Sequence, residues 1–288
     1  MRVSNQKRRV QVRAFVCLLF LCLFGMVQAC GRDGTWGAQA EQREERTGLD
    51  VWFFACSEDA DSILLQTEDT NILIDTGVEE DSGELVQKLE SRQVDCVDLL
   101  ILTHPDKDHI GGAAAVLENF AVEQVLQTSC DKDSRLQDDL ERRLDGLSGC
   151  AVSVPDDRQQ LDFGSLRLTV YPPKEKEYGS ANNYSIAVLA EYEGRRFFFA
   201  GDAKKKRIGE LLEEALPQVD VYKTAHHGRD SGNGDRLIEM LAPKIAVVTA
   251  KAAEKETQQA LTGAGAEIYT TWGQDVHMTV INGVLDVR

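Results

Sequence analysis

The segment Leu102–Gly112 most constrains what this chain can fold into, because two histidines and two aspartates fall within six of its residues. The apolar run 97–102 leads into the segment, and Gly111-Gly112 followed by small apolar residues leads out of it. This pattern predicts a strand that ends in a loop, followed by a helix that begins near Gly111. Imidazole and carboxylate groups at this spacing are better explained as ligands of a divalent metal than as parts of an ordinary polar turn. The four candidate ligands are His104, Asp106, Asp108 and His109.

The first 29 residues have the composition of an export signal rather than of a folded domain. They contain five basic residues, no acidic residue and the apolar run Ala14–Val27, which is short for a membrane span. Residues 27–31 resemble a bacterial lipobox, which would make Cys30 a lipidated N-terminus. Cleavage after Ala40 and an uncleaved anchor are the alternatives, and the mass of the mature N-terminus distinguishes the three.

We therefore divide the chain into a lipoprotein-type signal peptide (1–29), a flexible tether (30–48) and one domain (49–288). The expected location is extracytoplasmic, either at the cell membrane through the lipid anchor alone or secreted. The whole chain carries 32 basic and 48 acidic residues, a net charge of −16. Removing the five basic residues of the signal leaves 27 against 48, a net charge of −21, and such a surface repels phosphates away from a metal centre.

Four cysteines lie in the predicted domain, and none of them has the spacing of a zinc site. In an exported protein they could form the disulfides Cys130–Cys150 and Cys56–Cys96. Free, buried thiols are the alternative, which mass spectrometry after alkylation without reductant would test.

The remaining pattern predicts an α/β fold in which antiparallel strands lead into alternating strands and helices, twice over. Sheets of this kind need cover on their outer faces, so we expect a four-layer αββα sandwich. Ligands of open α/β sheets bind beyond the carboxyl ends of the strands. Asp202 and the pair His226-His227 follow predicted strands, and Asp75 at another strand end is placed to orient a ligand. His277 lies within a predicted strand, which favours a surface or cross-strand role.

Taken together, these motifs resemble the metallo-β-lactamase-like hydrolase superfamily, and more specifically the soluble extracytoplasmic hydrolase domain of ComEC competence proteins. The resemblance extends from about Leu49 to the C-terminus. The matching motifs, in chain order, are Asp61-Ser62, Ile74-Asp75-Thr76-Gly77, the segment from His104 to Gly112, Asn182-Asn183-Tyr184-Ser185, Gly201-Asp202-Ala203 and His226-His227-Gly228.

The resemblance implies two divalent metal ions. His104 and Asp106 would hold the first ion, and Asp202 would bridge both. The second ion would be held by Asp108 and His109 together with His226 or His227, which this reasoning does not separate. The histidine left over could hold a substrate phosphate or protonate a leaving group. The catalytic roles that follow are those of Asp108, His227 and Asn183.

Two departures from the family pattern bear on chemistry. Asp106 stands where most of the superfamily has a histidine, and Asn183 marks roughly where another histidine ligand stands. The first metal site is therefore rich in oxygen, and Mn²⁺ or Mg²⁺ competes with Zn²⁺ there. We expect Mn²⁺ to restore activity to the metal-free protein better than Zn²⁺. The second departure is the opening strand, where residues 56–60 replace a glycine-rich turn and could reshape the mouth of the site.

The expected function is an exported, metal-dependent phosphodiesterase or nuclease that acts on DNA through a metal-activated water. A small-molecule or cell-surface phosphoester hydrolase, such as a phosphorylcholine esterase, is the first alternative and fits the acidic charge better. A catalytically inactive binding protein is the second alternative. Hydrolysis of β-lactams is not expected, because that chemistry uses a first site rich in imidazole.

Overall fold

The computed structural model describes residues 47–288, so the predicted signal peptide (1–29) and most of the tether lie outside the described residues. Two β-sheets form the centre of the described part. The first sheet runs in the spatial order β17 (Val284–Val287), β16 (Val276–Ile281), β1 (Leu49–Phe53), β2 (Ser62–Gln66), β3 (Asn71–Thr76), β5 (Leu99–Leu102), β7 (Gln124–Gln127) and β8 (Ala151–Ser153). The second runs β15 (Glu267–Thr270), β14 (Ile245–Val248), β13 (Val221–Lys223), β12 (Arg195–Phe199), β11 (Ala187–Tyr192), β10 (Leu166–Tyr171) and β9 (Gln159–Phe163).

Both sheets change from antiparallel to parallel pairing along the chain, as predicted. In the first sheet β1, β2 and β3 pair antiparallel, and β3, β5, β7 and β8 pair parallel. The second sheet repeats the pattern, with antiparallel pairing from β9 to β12 and parallel pairing from β12 to β15. The C-terminal hairpin β16–β17 returns to the first sheet beside β1. A separate short ladder joins β4 (Cys96–Val97) to β6 (Ala121–Val122).

Three apolar clusters hold the layers together and confirm the predicted αββα sandwich. The cluster between the sheets joins inward-facing side chains of both, with Phe53 and Phe199 at a ring separation of 6.1 Å. The other two clusters bury the outer face of each sheet against helices. The first sheet is covered by α1 (Ser82–Ser91), α2 (Lys107–Ile110), α3 (Ala113–Asn119) and α4 (Arg135–Gly146), and the second by α5 (Lys205–Leu212), α6 (Gly234–Leu241) and α7 (Lys255–Gly263).

The helix predicted to begin near Gly111 is in fact two helices, and the first of them lies inside the motif. Helix α2 starts after Asp106, whose carbonyl accepts hydrogen bonds from the backbone N–H groups of His109 and Ile110. Helix α3 follows after the two glycines. The correction matters because Asp108 and His109 therefore project from a helical turn and not from a loop.

Other features agree with prediction or decide between alternatives. His277 lies in β16, opposite Trp52 of β1, and its ring stacks on the indole at 3.5 Å, so the cross-strand role is confirmed. All four described cysteines are free, so neither of the two disulfides is formed. Within residues 47–288, no helix has the length and apolar character that a membrane span requires.

Gly111 lets the motif helix lie against the end of β3. Its backbone N–H donates to the carbonyl of Gly77 at 2.9 Å, and a β-carbon at Gly111 would lie 2.3 Å from the backbone nitrogen of Glu79. Gly112 is equally close, because its β-carbon would lie 2.4 Å from the carbonyl oxygen of Thr76. These contacts are with backbone, so no side-chain rearrangement relieves them.

We therefore expect Gly111→Ala to lower the free energy of unfolding by about 2 kcal/mol or more, the cost of overpacking a site that cannot yield. Gly83→Ala in α1 is the matched control, because nothing lies within 4 Å of its β-carbon position. That change should be neutral or stabilising by up to about 1 kcal/mol. Urea unfolding of the two variants measures both values, and equal effects would refute the packing argument.

Candidate metal centre

The carboxyl ends of four parallel strands meet at one edge of the sandwich. Strands β3 and β5 of the first sheet lead into Asp75 and the 104–109 segment, while β12 and β13 of the second lead into Asp202 and the 226–227 pair. The two sheets are joined at this edge by the backbone N–H of Ile186, which donates to the carbonyl of Thr103. The structure thus brings together residues that are up to 152 positions apart, from Asp75 to His227.

One group of side chains gathers around His104. Its Nε2 lies 3.6 Å from Oδ2 of Asp106 and 3.9 Å from Oδ2 of Asp202. His104 is fully buried, whereas Asp106 keeps 23% of its side chain exposed. The outer oxygen of Asp106 accepts a hydrogen bond from Lys132 at 2.7 Å.

A second group gathers around His109 and His227. Nε2 of His109 lies 3.2 Å from Oδ1 of Asp202 and 3.9 Å from Oδ2 of Asp108. Nε2 of His227 lies 3.2 Å from the same Asp108 oxygen and 3.2 Å from Oδ2 of Asp202. The Asp202 carboxylate is therefore shared by both groups.

The structure separates the two histidines that the sequence leaves equivalent. His227 is fully buried with its Nε2 in the cluster, whereas no described carboxylate lies within ion-pair distance of His226. Both residues have left-handed backbone angles, with φ of 52° and 55°, and consecutive side chains on such a turn diverge. In this geometry His227, and not His226, faces the carboxylates of the cluster. Burial lowers the pKa of the His226 imidazole to about 4, so this ring is neutral at pH 7.

Each histidine of the second group has a carboxylate behind it. Oδ2 of Asp75 lies 2.7 Å from Nδ1 of His109, which confirms the orienting contact predicted for Asp75. The Thr103 backbone N–H and hydroxyl both donate to Asp75. Behind His227, Oδ1 of Asp61 lies 3.2 Å from Nδ1. With Nδ1 held in this way, Nε2 of each ring faces the cluster.

The structure also distinguishes the two asparagines of the 182–185 motif. The side-chain amide of Asn182 donates to Oδ2 of Asp202 at 3.3 Å. The side-chain carbonyl of Asn183 instead accepts from the backbone N–H of Arg207 in α5. Asn182 is therefore the one that contacts the cluster through a hydrogen bond, and the catalytic role of Asn183 stays a prediction.

Opposite charges concentrate at this edge and shift one another's ionisation. Burial alone would lower the pKa of His227, but Asp202 and Asp61 raise it to about 10. Burial alone would also lower the pKa of His109, but the charges of Asp202 and Asp75 outweigh this effect and raise it well above its usual value. Burial alone would raise the pKa of Asp202, yet the two histidines hold it well below the usual range. Without a metal, protons on the imidazoles supply the positive charge that the carboxylates require.

The donor set fits divalent cations. The buried atoms His104 Nε2, His109 Nε2 and Asp202 Oδ1 have no hydrogen-bond partner in the described structure, and all three belong to the cluster. Unpaired polar atoms and excess carboxylate charge are costly in a buried place unless a cation satisfies them. One atom each from Asp61, His109, Asp202 and His227 also lie within 4.8 Å of one another. We assign Asp61 to a supporting role, because both its oxygens already accept hydrogen bonds, from Thr249 and Lys223.

Several residues of the site were missed from the sequence. Asp61 was noted only as part of a motif, and Lys223 and Thr249 were not noted at all. The lysine in β13 was an available signal. A short apolar strand whose sheet packs against another sheet on one face and against helices on the other is buried on both faces, so a lysine there is unusual. Lys132 and Asn182 gave no comparable signal, since their contacts depend on how loops fold over the edge.

The comparisons with known proteins agree with this geometry. A family model described as "Metallo-beta-lactamase superfamily" matches residues 58–250. The chain is 29% identical over 168 residues to ComE operon protein 3 of Bacillus subtilis, which covers 58% of this chain and 21% of that protein. It is 22% identical over 191 residues to Recombination protein 2 of Haemophilus influenzae, covering 65% of this chain and 22% of that protein. The chain thus spans about a fifth of the length of these two distant homologues.

A solved structure supports the fold. The metallo-beta-lactamase fold protein YhfI from Bacillus subtilis superposes with a TM-score of 0.55 at 12% sequence identity. The superposition covers 84% of this chain and all of YhfI. At this identity the likeness concerns the fold alone, an α/β metallo-β-lactamase fold with two mixed sheets flanked by helices.

The charge balance makes the stability of the metal-free protein depend on pH. A histidine whose pKa is higher in the folded than in the unfolded state stabilises the fold fully below its unfolded pKa of about 6.5. That stabilisation is lost as the pH rises toward the folded value, about 10 for His227. We therefore expect the melting temperature of the metal-free protein to fall between pH 6.5 and 9.5, with at most about 1.4 kcal/mol lost per pH unit for each histidine.

Thermal unfolding in a chelating buffer measures this slope. His227→Gln should reduce the slope, because it removes one of the two responsible groups. Added divalent metal should flatten it, because the cation takes the place of the protons. A melting temperature that is constant or rises over this interval would contradict the charge assignment.

Proposed function

Because the chain belongs to the metallo-beta-lactamase superfamily, we propose that it is a two-metal phosphodiesterase that hydrolyses DNA. The observation that carries this proposal is the Asp202 carboxylate shared between two His/Asp groups, since a shared carboxylate is what two neighbouring ions need. His104, Asp106 and Asp202 would hold one ion. Asp108, His109, His227 and Asp202 would hold the other.

Divalent ions bound there would supply an activated water and would neutralise the charge of a phosphodiester. The chain's own residues then do three things. Asp75 and Asp61 fix the rings of His109 and His227 through Nδ1. Asn182 orients Asp202. His226, neutral and outside the carboxylate cluster, is placed to donate a hydrogen bond to a phosphate oxygen, the role expected for the histidine that does not ligate.

The basic side chains at the edge are available to a phosphate-bearing substrate. Glu58 and Asp59, in the segment that departs from the family's glycine-rich turn, pair with Lys107 at 2.9 Å and Arg229 at 2.9 Å. These pairs are exposed, and such pairs contribute about 0–1 kcal/mol. Substrate phosphates can therefore replace the acidic partners at little cost, even though the whole chain is acidic.

An aromatic side chain beside the site supports a nucleic acid in particular. Trp272 is 50% exposed, and the ammonium of Lys251 lies 5.9 Å from the centre of its ring. The residue before Trp272, Thr271, donates its backbone N–H to Val248, and the following Thr249 contacts His227 at 3.0 Å. Trp272 follows β15, two strands from the β13 end that carries His227, or about 10 Å at the usual strand spacing. A base of a single strand could stack there with its neighbouring phosphodiester at the metals.

The alternative substrate is a phosphorylcholine ester, which the acidic surface favours. A tryptophan face also binds quaternary ammonium groups. Here the Lys251 ammonium lies 5.9 Å from the ring centre, so its positive charge would repel a quaternary ammonium group and attract the phosphate of a nucleic acid. This pairing is the reason for preferring the nucleic acid. The location outside the cytoplasm, with Cys30 as the lipid anchor, is part of the proposal and rests on the N-terminal sequence alone.

A matrix of metals and substrates tests the function. Metal-free protein is given Mn²⁺, Mg²⁺ or Zn²⁺ and then bis-p-nitrophenyl phosphate, single-stranded DNA or p-nitrophenylphosphorylcholine. We expect diester hydrolysis that is highest with Mn²⁺, and DNA digestion that falls steeply with salt. Asp108→Ala should reduce the rate at least about 100-fold, because a ligand's share of charge stabilisation is several kcal/mol. Asp162→Ala, an exposed carboxylate on β9, is the control.

Other outcomes of the matrix are equally decisive. Turnover of the choline ester without DNA digestion would replace the DNA proposal with the alternative. No metal bound and no turnover with any ion would leave the inactive binding protein. Greater activity with Zn²⁺ than with Mn²⁺ would contradict the effect assigned to Asp106.

The stacking role of Trp272 gives a separate prediction. Trp272→Ala should raise the KM for a single-stranded oligonucleotide about 5- to 100-fold, the value of one base–aromatic stack. It should leave hydrolysis of methyl p-nitrophenyl phosphate unchanged, since that diester is too short to reach from the metals to the indole. Trp272→Phe should keep most of the affinity, and Val284→Ala, 64% exposed on β17, is the control. An unchanged oligonucleotide KM would refute the stacking role.

A further inference from the structure

Lys223 is a fully buried lysine whose position calls for an explanation. Its side chain is 1% exposed on strand β13, where every residue is buried. Its ammonium donates to Oδ2 of Asp61 and lies 3.4 Å from the carbonyl oxygen of Gly201. Lysine is almost never fully buried unless it is paired. We therefore attribute the burial of Lys223 to its ion pair with Asp61, which is also 1% exposed.

The partner of Lys223 contacts a candidate metal ligand directly. Oδ1 of Asp61 accepts a hydrogen bond from the hydroxyl of Thr249 at 2.6 Å and lies 3.2 Å from Nδ1 of His227. The Thr249 hydroxyl lies 3.0 Å from the same nitrogen, so Asp61 holds His227 both directly and through Thr249. The backbone of Asp61 is fixed as well, since its N–H donates to the carbonyl of Asp108. These contacts hold the Asp61 side chain in one orientation.

The Asp61–Lys223 pair crosses from one sheet to the other. Asp61 immediately precedes β2 of the first sheet, whereas Lys223 ends β13 and Thr249 follows β14 of the second. The support behind His109 is different, because Asp75 and Thr103 both belong to the first sheet and Thr103 is a neutral donor. His227 follows the second sheet and has the carboxylate of Asp61 from the first sheet behind it, whereas His109 and its carboxylate Asp75 both belong to the first sheet.

We propose that Lys223 is a positioning residue that acts through Asp61 to fix the ring of His227. With Asp61 held by Lys223, His227 turns Nδ1 to Asp61 and Nε2 to Asp108 and Asp202, across the boundary between the sheets. The pair therefore sets the geometry between the ligands of the first sheet and those of the second. This inference rests on the proposed metal-dependent function, since it assigns how the ligands of that function are aligned.

A purely structural ion pair is the competing explanation, and the two differ in what they predict for metal binding. A structural pair would change the melting temperature and leave metal affinity in the folded protein as it is. A positioning pair would change the affinity as well, because partners behind a ligating histidine are typically worth 10- to 100-fold in metal affinity.

The test compares full-chain variants. Lys223→Met leaves the Asp61 charge buried without its partner and so risks misfolding. The double variant Asp61→Asn/Lys223→Met removes both charges with side chains of similar size and keeps the fold accessible. The control is Asp220→Asn/Lys244→Met, which removes a more exposed ion pair of 2.8 Å at the opposite end of β13. Titration calorimetry with Mn²⁺ on each folded protein gives the affinity.

We expect the Asp61/Lys223 double variant to bind Mn²⁺ roughly 10- to 100-fold more weakly than the wild type. The control pair should bind like the wild type even where its melting temperature falls. A second readout is the NMR signal of the Nδ1 proton of His227, identified by its loss in His227→Gln. This signal should be shifted or lost in the double variant and kept in the control.

The outcomes separate the inference from the proposed function. A wild type that binds Mn²⁺ and a double variant that binds it equally well, with the His227 signal unchanged, would overturn the positioning role alone. A wild type that binds no divalent metal would overturn the proposed function, and the positioning role with it.

Discussion

The shared carboxylate of Asp202 is the interaction on which the site depends. It lies within 3.9 Å of His104 and 3.2 Å of both His109 and His227, so it connects ligands that arise from both sheets. Such a residue must be buried and charged, and its orientation must be fixed by hydrogen bonds. The backbone N–H of Asp202 donates to the hydroxyl of Ser185, and Asn182 holds one of its oxygens. The layered fold serves this arrangement, because packing the two sheets face to face brings strand ends of both sheets to a common edge.

Fixing the site requires backbone conformations that most residues avoid. Asp75, His226 and His227 all have φ between 52° and 58°, a left-handed region that costs of order 1–3 kcal/mol for residues other than glycine. Gly201, directly before Asp202, also has positive φ, and a β-carbon there would lie 3.0 Å from Ser185. The surrounding hydrogen bonds and the apolar layers maintain this strain. The stability of the outer layers is thus what permits an unfavourable geometry at the edge.

Much of this organisation could be predicted from the sequence, and the remainder could not for identifiable reasons. Strand ends bearing Asp75 and Asp202 are visible in sequence, because apolar runs give the strands and the polar residue marks the end. The helix inside the motif was missed, since four residues from Lys107 to Ile110 are too few to show a helical period. The sequence also could not separate His226 from His227, because adjacent residues differ only in the turn that carries them. Asp61 and Lys223, 162 positions apart, become partners only when two sheets pack.

The carboxylate of Asp106 affects the charge of the candidate site as well as the hardness of its donor atoms. A carboxylate adds a negative charge that a neutral imidazole does not have, and Asp106 shares His104 as a neighbour with Asp202, at 3.6 and 3.9 Å from its Nε2. Burial would raise the pKa of Asp106, but contacts with His104 and Lys132 hold it well below its usual range, so the charge persists. Lys132 offsets that charge from the solvent side, 39% exposed and 2.7 Å from Asp106, while Asp106 keeps its other oxygen toward His104. Under the proposed function, this ammonium would also be available to the phosphate of the substrate.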